Sequence, residues 1–218
     1  MAYIGKTPTP APLTSSDIAS DIINSTHIGD TAISGFDALA TAPADTDEFL
    51  ISDAGTLKRI DASLVGGGGI TMADQWRITA NITSDQSPIS SNLERNDSTG
   101  FAYIGSGMSQ SSGVFTFPET GIYFVEYTMA GYPDVNDGIF GFIEVTTNNS
   151  SYSQVARSPI SRDGNGEDSA TSSTLIDVTD TSNVKVRFTV TDLGSGSTVH
   201  GSTSFNKTHF TFIRLGDT

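Results

Sequence analysis

Beyond residue 74 the apolar side chains fall at every second position. Tyr123, Val125, Tyr127 and Met129 share one parity, and Val184, Val186, Phe188 and Val190 repeat the alternation further along. A period of two is the mark of a strand with one buried face, and helical spacing is absent from this region. Runs of this kind predict strands over 75–82, 101–104, 114–117, 122–130, 139–147, 152–158, 172–178, 184–191 and 208–215. Turn-forming clusters separate them: Glu119-Thr120-Gly121, Pro133-Asp134, Asn136-Asp137-Gly138, Asp163-Gly164-Asn165-Gly166, Thr179-Asp180 and Gly194-Ser195-Gly196. Many short strands with such breaks predict an all-β chain with a C-terminal sandwich or jelly roll. Parity then nominates its core: Phe115, Phe117, Tyr123, Val125, Tyr127, Phe188, Phe210 and Phe212.

The first 65 residues read differently. Pro8, Pro10 and Pro12 favour an extended backbone with few donors. Ile18, Ile22, Ile23, Ile28, Ile33, Phe36 and Leu39 are irregularly spaced, and a short helix over 17–23 with Ser16 as its cap is one reading. Such scattered side chains make no core in one chain, whereas three copies around an axis supply one. Residues 47–52 and 56–61 flank Asp53-Ala54-Gly55 and predict a β-hairpin with a three-residue loop and Gly55 left-handed. The glycines from Gly66 to Gly69 then mark a hinge. The expected organisation is an extended attachment or shaft segment with a hairpin at 1–65, a linker at 66–73 and a head at 74–218.

Charge and composition exclude several classes. The chain has 11 Lys+Arg against 25 Asp+Glu, a net charge of −14. That field repels nucleic acid, whose binding needs neutralised phosphates. With no cysteine there is no disulfide and no thiolate metal site. No apolar run reaches transmembrane length, so no membrane insertion is expected, and the first residues lack the basic start and apolar core of a secretion signal.

Residues 113–127 read Gly-Val-Phe-Thr-Phe-Pro-Glu-Thr-Gly-Ile-Tyr-Phe-Val-Glu-Tyr. This stretch resembles the signature of the complement and tumour-necrosis-factor jelly-roll superfamily, in particular the globular head of complement subcomponent C-one-q. The runs 173–178 with 184–186, and 208–215, resemble its late paired strands and its last strand, although Asp180-Thr181-Ser182-Asn183 replaces the usual Gly-Asp. The resemblance covers roughly residues 75–216. It implies a ten-stranded jelly roll, compact homotrimers, ligand contact at loops or between subunits, and no catalytic activity. Together with the coreless N-terminal segment it predicts a homotrimer in which Phe124 and Thr128, opposite in parity to Tyr123, face the threefold axis. The collagen stalk common before such heads is absent. Instead, the opening Met1-Ala2-Tyr3-Ile4-Gly5-Lys6-Thr7-Pro8 and residues 42–61 resemble tail-fibre and appendage proteins of marine and cyanobacterial phages. Residues 25–34 are similar to one unit of the Ile-rich repeats of their shafts.

Chemical candidates are few. His27, His200 and His209 have no carboxylate at ligand spacing beside them. Asp163, Asn165 and Asp168 sit in an oxygen-rich, glycine-bent stretch that suggests calcium, but the full twelve-residue pattern is missing, and a solvated turn is the simpler reading. No other cofactor is expected. Gly105-Ser106-Gly107 and Gly194-Ser195-Gly196 are not nucleophile elbows, and no nucleophile–base arrangement emerges, so no enzyme is expected. The four glycines lack the following helix and Lys of a phosphate loop. Aromatic residues near loops, Tyr132 and Tyr152, with Asn136, Asp137, Asn148 and Asn149 as hydrogen-bonding groups, are candidates for receptor contact; tyrosines capping the sandwich are the alternative. The expected function is a short trimeric phage tail fibre in the virion. Residues 1–65 would dock on tail, neck or capsid proteins, and the head would touch a host-surface glycan or protein. A capsid decoration protein and a secreted lectin-like adhesin are the alternatives.

Overall fold

The computed structural model describes residues 14, 43–44, 46–65, 69–134, 137–161 and 166–218. The chain divides into two compact units, Met1–Gly66 and Gly67–Thr218. The extended Pro-containing segment, the helix over 17–23, the Ile-rich unit at 25–34 and the glycines 66–68 lie outside the described residues.

In the first unit, β1 (Glu48–Asp53) and β2 (Thr56–Asp61) form an antiparallel hairpin, followed by a 3-10 turn over Ala62–Leu64. The loop has two residues rather than three, because Asp53 pairs directly with Thr56. Ala54 (φ 49°) and Gly55 (φ 82°) are both left-handed, which matches the twist of the flanking strands. Arg59 pairs with Glu48 (2.9 Å) and Lys58 with Asp53 across the ladder. Exposed pairs of this type contribute at most about 1 kcal/mol. Phe49, Leu50 and Ile51 are all exposed, so the hairpin has no core of its own.

The second unit is a sandwich of two antiparallel sheets. Its strands are β3 (Ala73–Ile78), β4 (Leu93–Arg95), β5 (Ser109–Ser111), β6 (Val114–Thr116), β7 (Gly121–Tyr132), β8 (Gly138–Thr146), β9 (Ser153–Ser161), β10 (Asp168–Val178), β11 (Lys185–Thr191), β12 (Thr198–Val199) and β13 (His209–Gly216). One sheet has the order β10-β7-β13-β3-β4, with β12 also on β7; the other has the order β5-β6-β11-β8-β9. This is the all-β jelly roll that the alternation predicts. All eight residues assigned to the core by parity are buried. Phe188 stacks on Phe210 at 3.9 Å between centroids, and Phe115 meets Phe188 edge-on at 5.5 Å, so rings from both sheets interlock. The Tyr127 hydroxyl is buried without a partner among the described residues, and burial pushes its pKa up.

Two glycines are fixed by close approach. Gly121 has φ +146°, and a Cβ there would lie 2.5 Å from Arg214 Nε and 2.6 Å from the Gly216 carbonyl. This is why the β7 motif opens with glycine; two residues on, the Tyr123 hydroxyl donates to the Glu119 carbonyl (2.9 Å) and pins the turn. At Gly141, a Cβ would lie 2.6 Å from the Tyr127 ring.

Several elements depart from the sequence reading. Residues 101–104 form no strand; Ile104 makes a single bridge to Ala73, and left-handed Gly100 and Gly105 bend the chain on either side. β4, β5 and β12 are short and mostly polar, and pattern alone does not reveal them. Met72 and Ala73 fall in the predicted linker, yet Met72 is buried in the head core and Ala73 opens β3.

Two charged groups are buried in β3. The Asp74 carboxylate accepts from Met108 N–H (2.7 Å), Gln75 N–H (2.8 Å), Trp76 Nε1 (3.0 Å) and Arg95 Nε (3.1 Å). Arg77 is fully buried and donates to Glu94, Asp97, Asn96, Ser98 and the Thr203 carbonyl. Together they fasten the 93–108 and 202–206 segments to the sheet.

Candidate functional site

β7 alternates strictly, so the residues that do not enter the core form a second surface. On the outward face of the β10-β7-β13-β3 sheet the register aligns Leu175, Phe124, Ile213 and Ala73 in one row. Leu175 is 63% exposed, and Phe124 and Ile213 are half-buried. The next rows are polar: Ser173, Glu126, Thr211 and Gln75, then Thr171, Thr128, His209 and Arg77. Thr128 and Thr171 share a hydroxyl hydrogen bond of 2.8 Å, and Gln75 donates to Thr211 (3.0 Å). Phe124 and Thr128 thus lie on the face opposite the core. His209 is held below the ordinary histidine value chiefly by burial, opposed by the Lys207 carbonyl and by Glu126. At the β3 side the apolar row runs into a cleft of about 180 Å³ against Phe101 and Ala102.

The remaining candidates do not form one site. Tyr132 ends β7, half-buried and paired across to Thr198. Asp137 fastens a loop: its carboxylate accepts from the Ser197 hydroxyl and from the Gly194 (3.1 Å) and Gly138 (2.9 Å) amides, and these bonds hold its pKa low, Ser197 foremost. Asn148, Asn149 and Tyr152 lie at the other end of β8, whose nine residues span about 30 Å. The Asn148 side-chain Oδ1 accepts from the Ser150 (3.0 Å) and Ser151 (2.9 Å) backbone amides, and the backbone amide of Asn149, with φ 52°, donates to the Asn183 carbonyl (2.9 Å). Both asparagines therefore build a turn. Tyr152 lies with its ring centroid 3.9 Å from the Arg187 guanidinium, and partial burial raises its pKa. Asn136, Asp163 and Asn165 lie outside the described residues. Asp168 is exposed at the start of β10 and accepts from the Ser169 amide (2.8 Å). Among the described residues no group of three His, Asp or Glu side chains is placed to hold a metal ion.

Sequence reasoning missed the outward face of the other sheet. There Phe140 and Phe142 of β8 stand beside Arg157 of β9 and Arg187 of β11. The signal was present, since β8 carries large apolar residues at both parities. A strand covered on only one side has no need of them.

No protein-family model matches the sequence, and no curated protein sequence matches it. Solved structures do match in fold. The structure of Eiger TNF from S. frugiperda aligns with a TM-score of 0.51 at 13% identity, covering 69% of this chain and 96% of that one. Murine APRIL at pH 5.0 aligns with a TM-score of 0.50 at 11% identity, covering 66% of this chain and 98% of that one. Two sheets in this order, closed over an aromatic core and opened by the Gly-x-Tyr strand, give the C-terminal unit the TNF-like jelly-roll fold.

Proposed function

We propose that this chain is a trimeric structural protein of a phage particle, a short tail fibre or similar appendage. Residues 1–65 attach it to the particle, and the jelly-roll head contacts the host surface. The observation that carries the reading is a juxtaposition within one chain. An N-terminal region that resembles phage appendage proteins precedes a jelly roll whose outward sheet presents Leu175, Phe124 and Ile213 in register. Three copies meeting through that row bury side chains that one copy leaves in contact with water, and burial of apolar area contributes about 25 cal/mol per Å². The coreless hairpin fits the same logic, because copies of Phe49, Leu50 and Ile51 supply one another with the core each lacks.

The test has two parts. Sedimentation equilibrium of the purified chain gives a trimer mass, and Leu175→Asp shifts it to monomer while far-ultraviolet circular dichroism stays unchanged. A monomeric parent protein at micromolar concentration refutes the assembly. A truncation beginning at Gly69, which keeps Met72 and all of β3, folds and trimerises but does not enter particles. Normal incorporation reverses the roles of the two regions. A particle that carries the protein on its shell and adsorbs normally without it makes the chain a decoration protein instead.

A further inference from the structure

Basic side chains are scarce in this protein, and nearly all the described ones in the head are already engaged. Arg77 is held by Glu94 and Asp97, Arg95 by Asp74, Arg187 by Glu144 (2.7 Å), Lys207 by Glu167 (3.1 Å) and Arg214 by Asp217 (2.5 Å). Lys185 donates to Thr116 and to the Thr181 carbonyl. Arg157 differs: among the described residues it makes no hydrogen bond and no ion pair. With 25 acidic residues in the chain, a guanidinium without a carboxylate is the exception that needs a reason.

The surroundings supply one. Arg157 projects from the outward face of the β8–β9 pair, with its guanidinium carbon 3.9 Å from the Phe140 ring centroid. That stacking holds the planar group flat while leaving its N–H edge able to donate. In register with Arg157 on β8 is Phe142, and the two line an open cleft of about 320 Å³ together with Gln154, Val155 and Ala156. A bulge at Val155 shifts the register between Ile143 and Glu144, widening the strand at this point. Gln154 is oriented by its donation to Glu144 (3.3 Å), and Glu144 in turn is held by Arg187. Thr189, across the ladder from Phe142, is buried, and its hydroxyl has no partner among the described residues.

We propose that this cleft binds a carboxylate-bearing sugar residue of a surface polysaccharide, a uronic acid in chemical class. The assignment rests on the reading of the head as the outward-facing end. The Arg157 fork takes the carboxylate, the Phe142 ring stacks on the apolar face of the sugar, and the Gln154 amide meets a ring hydroxyl. A glycan fits better than an acidic peptide. β9, which carries Arg157, is the edge strand of its sheet, but a peptide added to its outer edge would pair with backbone there, whereas the cleft joins Arg157 to Phe142 of the inner strand β8 across the face of the sheet.

The probe is oligogalacturonate, compared with its methyl-esterified form, titrated into the full-length protein by calorimetry at physiological ionic strength, where the long-range repulsion from the acidic chain is screened. The free acid binds, and the ester binds about tenfold or more weakly, because the charge-assisted contact is lost. Arg157→Gln lowers affinity for the free acid to that of the ester without changing the melting temperature, and Phe142→Leu weakens both forms. Equal binding of acid and ester, unchanged binding by Arg157→Gln, equally tight binding of hexaglutamate, or no binding by the parent protein overturns the assignment. None of these outcomes touches trimer mass or particle incorporation, so the cleft can fail while the reading of the chain as an appendage stands. A chain that binds the acid through Arg157 but never enters particles fails in the opposite way.

Discussion

Replacing Asp74 with alanine is the sharpest perturbation of the head that leaves the aromatic core intact. The carboxylate is buried and accepts from two backbone amides, an indole N–H and a guanidinium. Alanine removes every acceptor at once. The Met108 amide and the Trp76 indole lose their partner, at about 1–3 kcal/mol for each buried donor left unsatisfied. Arg95 loses its carboxylate, but it is about a third exposed and recovers part of its solvation. Its remaining bond to the Met108 carbonyl (2.6 Å) also persists. The sum lies at about 3–5 kcal/mol, the range for breaking a buried pair by removing one partner. For a chain of this size that corresponds to about 6–20 °C in melting temperature. Differential scanning calorimetry at fixed protein concentration reads this directly, since oligomerisation makes the midpoint depend on concentration. Asp74→Ala with Arg95→Met recovers part of the loss, because the uncompensated cation is gone. A fall of less than about 2 °C in the single variant refutes the claim that Asp74 fastens the 93–108 segment to β3.

Two further outcomes are expected. Phe210→Ala removes the ring stacked on Phe188 at 3.9 Å and costs about 3–5 kcal/mol, read as a lowered denaturant midpoint with little change in slope; an unchanged midpoint means that Phe210 is not central to the core. His209, whose pKa is lowered by burial, takes up its proton more readily when unfolded, so its contribution to stability is complete above the ordinary value of 6.5 and is lost as pH falls through its lowered folded value. Thermal scans from pH 7.5 down to about pH 5 then show a decline that His209→Gln reduces, and an identical decline in both proteins assigns it to other groups.

The core and the topology class were legible in the sequence because strand parity is a local property. Tyr123, Val125 and Tyr127 alternate with Phe124 and Thr128, and within β7 no bulge interrupts that alternation, as one does at Val155 of β9. The Gly-x-Tyr opening was legible through the resemblance alone, because the need for Gly121 is tertiary: a Cβ there would meet Arg214 and Gly216 from the far end of the chain. The candidate sites fared differently. Asn148 and Asn149 look like exposed polar loop residues, yet their hydrogen bonds close a turn, and Asp137 is drawn to Ser197 from a distant part of the chain. Polar residues at loops serve the backbone as readily as a ligand, and the sequence does not say which.

What the sequence determined by itself was therefore the all-β class, the alternation that separates core from surface, and a charge balance hostile to nucleic acid. The tertiary structure decided which surface residues stand together. Leu175, Phe124 and Ile213 come from three strands and become one row only through the registers of β10, β7 and β13. Arg157 becomes distinctive only once the other described cations of the head have found their partners. Register and pairing are set by contacts between residues far apart in the chain, and those contacts depend on the closed sandwich rather than on any local pattern.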